Sequence, residues 1–363
     1  MCDPESVGIS GARLKLVSQV LVRGVEEGAF PGAVGLVARY GKVVYWQAVG
    51  DRMVEPERRP MERSTVFDLS SVTKVVATTT ATMLLVERGL LHLEERVRRI
   101  IPEYRGRWKA DTTIRHLLTH TSGLPLKPEL HHDYGRPELL WQAIHTMPLL
   151  WPPGQAFLYT CLGYHLLGDI VERVAGEPLD RFLRRELFVP LGMTDTGYRL
   201  GPETRDRCAA TEFCKWRGRV ICGEVHDENC SVLGGVSGNA GLFSTVGDLA
   251  IFGTMMLNEG EYSGIRVFSP LTVREMFRNH TPQLPAARGL GWALGLEVFG
   301  DFLRPLSAGH TGWTGTSICL CPSIGLVAIL LTNRVHPSRE DDKIDDARIQ
   351  FHNAVAGSVV DQC

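Results

Sequence analysis

Two tracts rich in β-forming residues stand at opposite ends of this chain, and most of what lies between them carries helical periodicity. The first, PGAVGLVARYGKVVYWQAVG from Pro31, gathers β-branched and aromatic residues on both sides of Tyr40-Gly41-Lys42 and predicts a β-hairpin. Strand patterns return after about Leu233, in GLGWALGLEVFG and in TSICLCPSIGLVAILLTNRV, where Pro322-Ser323-Ile324-Gly325 makes a turn between two apolar runs. From Lys74 to about Glu186 helical patterns dominate, punctuated by SGLP at Ser122–Pro125 and PPG at Pro152–Gly154. This order implies a sheet lobe built from both termini, residues 1–73 and 234–363, with a mainly helical lobe, residues 74–233, inserted between them. Leu14, Val17, Leu21 and Val25 recur at helical spacing between Ile9 and about Ala29, and a last helical pattern runs from about Asp341 to Val359.

Composition narrows the function classes. The 363 residues exceed an average domain, and a formal net charge of -2 gives no electrostatic reason to bind nucleic acid, so a small-molecule substrate fits better. The first thirty residues lack the basic start and apolar middle of a secretory signal, and no stretch is long and apolar enough to cross a bilayer. Nine scattered cysteines favour free thiols in a reducing compartment, and the chain reads as cytoplasmic. Oligomeric state is not legible in the sequence.

FDLSSVTK at Phe67–Lys74 carries the first candidate chemistry. Only the second serine has a lysine three residues on, Ser71-Val72-Thr73-Lys74, which puts hydroxyl and amine on one face of a helical turn. Desolvation by the apolar run VVATTTATMLL is expected to lower the lysine pKa so that it can take the serine proton. Such a pair is common by chance and weak alone. The run is a poor helix former by propensity, however, and makes sense as a helix only if tertiary burial enforces it.

With its downstream partners the motif resembles the serine β-lactamase and penicillin-binding protein superfamily, in the branch of class C β-lactamases, D-aminopeptidases and family VIII carboxylesterases. SVTK at Ser71–Lys74 is similar to the S-x-x-K element. PGQAFLYTCLGYHLLGDIVERVAG places Tyr159-Thr160-Cys161 in the Y-x-N slot, and GHTGWTGTSICLC places His310-Thr311-Gly312 where class C enzymes have K-T-G. LLTHTSGLP, FVPLGMTDTGY and GNAGLFSTVGDLAIF also resemble the branch, so the likeness runs from about residue 10 to 335.

The resemblance implies an α+β fold of the β-lactamase/transpeptidase type: an antiparallel sheet flanked by the N- and C-terminal helices, a helical lobe inserted, and an active site in the cleft between. It implies Ser71 as the acylated nucleophile, Lys74 and Tyr159 as the proton-handling pair, and the backbone N–H groups of Ser71 and Trp313 as the oxyanion hole. Cys161, His310, Thr311, Gly312 and Trp313 would meet substrate, with Gly312 letting it lie close to the strand edge. Neither a cofactor nor a metal is implied.

Two departures shape the expected specificity. Cys161 replaces the asparagine of Y-x-N, and a thiol is a weak donor and acceptor toward a substrate amide. His310 replaces the lysine of K-T-G, and an unperturbed histidine is mostly neutral at pH 7, so it offers less charge to a substrate carboxylate. Both losses fall on carboxylate-bearing amides, and the expectation is a carboxylesterase with weak or no β-lactamase activity. A β-lactamase or D-aminopeptidase/DD-peptidase-type amide hydrolase is the runner-up, and a scaffold that keeps the fold without the chemistry is the rival from another class. Whether His310 must be neutral or charged is left open.

Other motifs read as structural. Cys208, Cys214, Cys222 and Cys230 lack C-x-x-C pairing, His131-His132-Asp133 reads as part of a solvated loop, and Asp227 in VHDEN as structural. His120 reads as a helix-end histidine favoured by the helix C-terminus. Gly235-Val236-Ser237-Gly238-Asn239 lacks the last glycine of a G-x-S-x-G elbow.

Overall fold

The computed structural model describes residues 1–127, 129–340 and 343–361. Helix α1 (Gly11–Glu26) leads into strands β1 (Gly32–Arg39), β2 (Lys42–Met53) and β3 (Arg59–Pro60). The middle of the chain contributes α2 (Thr80–Glu87), α3 (Leu162–Ala175) and α4 (Val246–Leu257) among shorter helices. Strands β4 (Ala293–Leu294), β5 (Ala308–Thr311), β6 (Ser317–Cys321) and β7 (Leu326–Thr332) precede the final helix α5 (Ile344–Gly357). Asp341, where that last helix was expected to begin, lies outside the described residues.

The seven strands form one antiparallel sheet in the order β4-β5-β6-β7-β1-β2-β3, so the N-terminal hairpin pairs with the C-terminal strands along β1 and β7. Ala33 faces Thr332 and Arg39 faces Leu326 at the ends of that pairing. Both strands are buried at every position, because helices cover both faces of the sheet. Successive side chains alternate between two cores. Ala33 and Val37 join α1 and α5, whereas Val34, Leu36 and Ala38 join α4 and the helical region. The expected turns are present: Tyr40-Gly41 joins β1 to β2, and a 3-10 turn at Pro322–Ile324 ending on Gly325 joins β6 to β7.

GLGWALGLEVFG, expected as a full strand, keeps only the two residues of β4. Gly291, Gly295 and Gly300 all have positive φ, which breaks the extended run. The VVATTTATMLL run is helical and buried throughout, but its first turns, Lys74–Thr79, are π-helix. Three of its four threonines find acceptors inside the fold: Thr78 donates to the Gly238 carbonyl at 2.7 Å, Thr80 to that of Val75 at 3.2 Å and Thr82 to that of Thr78 at 2.8 Å.

A loop at residues 235–241 lies against α3 through two glycines. A Cβ at Gly238 would sit 2.0 Å from the Tyr164 carbonyl oxygen and 2.9 Å from the Gly168 nitrogen, so backbone would have to move. Gly238→Ala is therefore expected to cost about 3 kcal/mol or more in urea unfolding. Gly197→Ala, with nothing within 4 Å of its added Cβ, is expected to stay within about 0.5 kcal/mol of wild type.

Candidate active site

Phe67–Asp68 pairs antiparallel with Phe243–Ser244, and the chain then turns sharply at Ser70, whose φ of 49° is left-handed. Asp68 holds this turn: one carboxylate oxygen accepts the Ser70 N–H at 2.8 Å and the other the His226 N–H at 2.6 Å. Ser70–Val72 is a 3-10 turn, a geometry that eclipses residues three apart. Ser71 and Lys74 meet as a result, Nζ donating to Oγ at 2.8 Å.

Lys74 is fully buried and is the meeting point of three distant segments. Its Nζ also donates to the Asn239 carbonyl at 3.0 Å and lies 3.5 Å from Cys161 Sγ, giving the three N–H groups of an ammonium three acceptors. The ring centroids of Tyr159 and Tyr164 are 5.3 and 5.6 Å away. Burial works against the charge. The negative forms of Cys161 and Tyr159, a hydrogen bond with Tyr159 and the Asp227 carboxylate outweigh it, so the Lys74 pKa lies above the ordinary lysine value. The expectation of a lowered lysine pKa is overturned: the apolar helix desolvates the amine, but polar groups from elsewhere hold its proton.

Tyr159 stands on a platform built from the SGLP loop. Leu158 N–H donates to the His120 carbonyl at 3.0 Å, Thr160 N–H to His120 Nδ1 at 3.3 Å, and Thr160 Oγ1 to the Pro125 carbonyl at 2.8 Å. The His120 and Tyr159 ring centroids are 4.5 Å apart. His120 is not the helix-end cation expected. Burial, then the charges of Arg288 and Lys74, push its pKa well below the ordinary value. A neutral ring whose Nδ1 accepts a hydrogen bond carries its proton on Nε2.

His310 lies on β5, 5.9 Å from the Tyr159 ring between centroids. Its Nδ1 sits 2.8 Å from the Thr311 carbonyl and so carries the proton, leaving Nε2 buried and without a partner among the described residues. Burial, then Arg288 and Lys74, hold its pKa well below the ordinary histidine value, so the ring is neutral.

The turn after His310 is fastened to the Ser71 segment. Thr314 Oγ1 donates to the Asp68 carbonyl at 2.7 Å, Thr316 Oγ1 to that of Leu69 at 2.8 Å, and buried Arg348 to the carbonyls of Gly312 and Thr316 at 2.9 and 3.0 Å. Gly312 serves this closeness, whatever room it also leaves for substrate. A Cβ there would lie 2.1 Å from Thr316 Oγ1 and 2.4 Å from the Leu69 carbonyl oxygen. Trp313 is 54% exposed and stacks on the Arg334 guanidinium, 4.4 Å above its ring, which leaves the indole as an apolar wall at the surface.

Several residues at the site were given no part in its chemistry by the sequence reading. Asn239 offers a carbonyl, and Asp227 positions it, accepting from the Asn239 side-chain amide at 3.2 Å and from the Cys230 N–H at 2.7 Å. Arg288 is 4% exposed and lies 5.6 Å from the Phe157 ring centroid. It donates to the Gly291 carbonyl at 3.2 Å, its Nε has no partner, and no acidic residue among those described neutralises it. Arg348 was likewise silent: it pairs with Asp345 at 2.8 Å one helical turn away, but the carbonyls it holds at the site, those of Gly312 and Thr316, lie far away in sequence. Of the other motifs, residues 235–239 and Cys230 reach the site, through the Asn239 carbonyl on Lys74 and the Cys230 N–H on Asp227. Cys208 and Cys230 are buried thiols bonded to backbone carbonyls, and His131, expected in a solvated loop, is buried in a short helix at Leu130–Asp133, with Pro128 outside the described residues. Among the described residues no group of His, Cys, Asp or Glu is arranged to hold a metal ion, and no helix is long and apolar enough to cross a membrane.

This arrangement can be compared with known proteins. The chain matches the beta-lactamase family over residues 17–352 and belongs to that family. It is 32% identical to a protein of Escherichia coli K12 named as a D-alanyl-D-alanine carboxypeptidase, over 99% of this chain and 92% of the relative. It is 34% identical to an N-acetylmuramyl-L-alanine amidase of Bacillus subtilis 168, over 92% of this chain and 84% of the relative. Among solved structures, EstCE1, a hydrolase with promiscuous acyltransferase activity, matches with a TM-score of 0.76 at 26% identity, covering 95% of this chain and 99% of its own.

Burial of neutral histidines predicts how stability depends on pH. His165 and His352 are pushed down to about 4 by burial, and His120 and His310 well below the ordinary value. The unfolded chain binds protons at these sites below about pH 6.5 and the folded one does not, so stability is full above pH 6.5 and falls as pH drops toward 4. Urea midpoints measured between pH 7.5 and 4.5 are expected to decline, and the decline should become shallower in His352→Gln.

Proposed function

We propose that the chain is a serine hydrolase that forms an acyl-enzyme on Ser71 and acts on small-molecule carboxylic esters. The observation that carries this reading is the 2.8 Å contact between the Ser71 hydroxyl and a buried Lys74 ammonium, with Tyr159 against the same amine. In this reading Tyr159 acts as a phenolate favoured by the Lys74 ammonium: Ser71 Oγ attacks the acyl carbon, the phenolate accepts the Ser71 proton and returns it to the leaving oxygen, and Lys74 supplies the positive charge across that transfer. The N–H groups of Ser71 and Trp313 receive the oxyanion, each worth about 3–4 kcal/mol by removal. Water then attacks the acyl-enzyme by the same proton route.

Ester preference follows from what surrounds this machinery. Neutral His310 brings no charge to a substrate carboxylate, and Cys161 brings a weakly bonding thiol where an amide would be recognised. Trp313 gives an exposed apolar wall for an acyl or aromatic group. A second reading, hydrolysis of D-amino-acid amides, is favoured by Arg288, a buried cation with no acidic partner among the described residues and so suited to a carboxylate, and by the name of the Escherichia coli relative.

Turnover of p-nitrophenyl acyl esters, D-alanyl-D-alanine peptides and nitrocefin separates these readings. Esters as the best substrates, with Tyr159→Phe lowering kcat about 10²–10⁴-fold, support the first. Peptide turnover that is lost in Arg288→Met while ester turnover persists would establish the second. A fluorophosphonate adduct on wild type that is absent from folded Ser71→Ala is expected, and no adduct on folded wild type would leave a scaffold without chemistry.

A further inference from the structure

The backbone donor placed in the oxyanion hole is already engaged. Trp313 N–H donates to Ser70 Oγ at 3.2 Å. Ser70 is 7% exposed and holds a φ of 49°, a left-handed conformation that glycine adopts without cost and that is strained for a serine. The backbone on both sides of this contact is fixed. Ser70 N–H is tied to Asp68, the Trp313 carbonyl accepts from Arg334 Nε at 2.8 Å, and Gly312 N–H donates to the Thr316 carbonyl at 2.7 Å. Thr314 and Thr316 then lash the Trp313 turn to the carbonyls of Asp68 and Leu69. With the donor and the strand below it held, the mobile element is the Ser70 hydroxyl, which rotates about a single torsion.

We propose that Ser70 is a positioning residue that occupies the Trp313 donor in the free enzyme and must release it in every turnover, so that its hydroxyl tempers the oxyanion hole. The inference rests on the acyl-enzyme reading of Ser71. An empty hole would leave a backbone N–H unsatisfied beside a buried turn, and Ser70 supplies the missing acceptor. When the carbonyl oxygen of the substrate becomes an oxyanion, Trp313 N–H exchanges one acceptor for another, and the gain is reduced by what the Ser70 bond was worth. At 3.2 Å that bond is long for N–H···O, so the expected tempering is about 3- to 10-fold. It falls on kcat and not on KM, because the hole is used by the transition state more than by the bound ester.

Two substitutions separate the hydroxyl from the backbone. Ser70→Gly removes both the hydroxyl and the left-handed strain, whereas Ser70→Ala removes only the hydroxyl. Both are expected to raise kcat on p-nitrophenyl acetate about 3- to 10-fold with KM within twofold. Both should also tighten inhibition by phenylboronic acid, whose tetrahedral adduct on Ser71 places an oxygen in the hole, by a similar factor. An unchanged kcat and boronate affinity, a change confined to Ser70→Gly, or a fall in both variants would each overturn the proposal while labelling of Ser71 by a fluorophosphonate still stands. Absence of that label from wild type overturns the acyl-enzyme reading and this inference with it.

Discussion

The site is organised around one buried positive charge. An ammonium removed from water costs several kcal/mol unless its N–H groups find acceptors, and Lys74 finds them in Ser71, Asn239 and Cys161. Those acceptors come from three parts of the chain, so the charge can be satisfied only when the Ser71 turn, the start of α3 and the loop at residues 235–241 converge. The close approach of Gly238 to Tyr164 and Gly168 is what permits that convergence. Burial and pairing here act on one another: the same apolar helix that takes Lys74 out of water makes each remaining polar contact stronger.

A second constraint fixes the opposite wall. The turn from His310 to Thr316 is held by side chains that all bond to carbonyls, namely Thr314, Thr316 and Arg348, and by the missing Cβ of Gly312. Preorganisation of this kind is what an oxyanion hole needs, because the donors must not have to reorganise when charge develops. The proposed specificity then comes from the neutral His310 and the weakly bonding sulfur of Cys161, placed around a rigid and charged centre.

Much of this was legible in the sequence because it is local. Strand alternation in Gly32–Arg39 and Leu326–Thr332 follows from period-two burial between two cores, and the Ser71–Lys74 contact follows from a three-residue spacing. What escaped depends on residues far apart. Lys74 lies 165 positions from Asn239 and 87 from Cys161, so the direction of its pKa shift could not be read from the apolar run beside it. Gly312 was read as room for substrate, and nothing in the sequence signals that Leu69 and Thr316 also need that room. Arg288 carries no motif at all, since a buried guanidinium that bonds to a carbonyl leaves no acidic partner to mark it, and the Asp345–Arg348 pair looks in sequence like any ion pair one helical turn apart.

The protonation state of Lys74 tests the account most directly. In protein carrying ¹⁵N- and ¹³C-labelled lysine, with Lys74→Met used for assignment, the Nζ and Cε shifts of Lys74 can be followed from pH 6 to 10. The account predicts an ammonium throughout that range, with no titration as low as that of an ordinary lysine. A Lys74 that loses its proton near or below pH 8 would contradict it, and would make the lysine rather than Tyr159 the acceptor of the Ser71 proton.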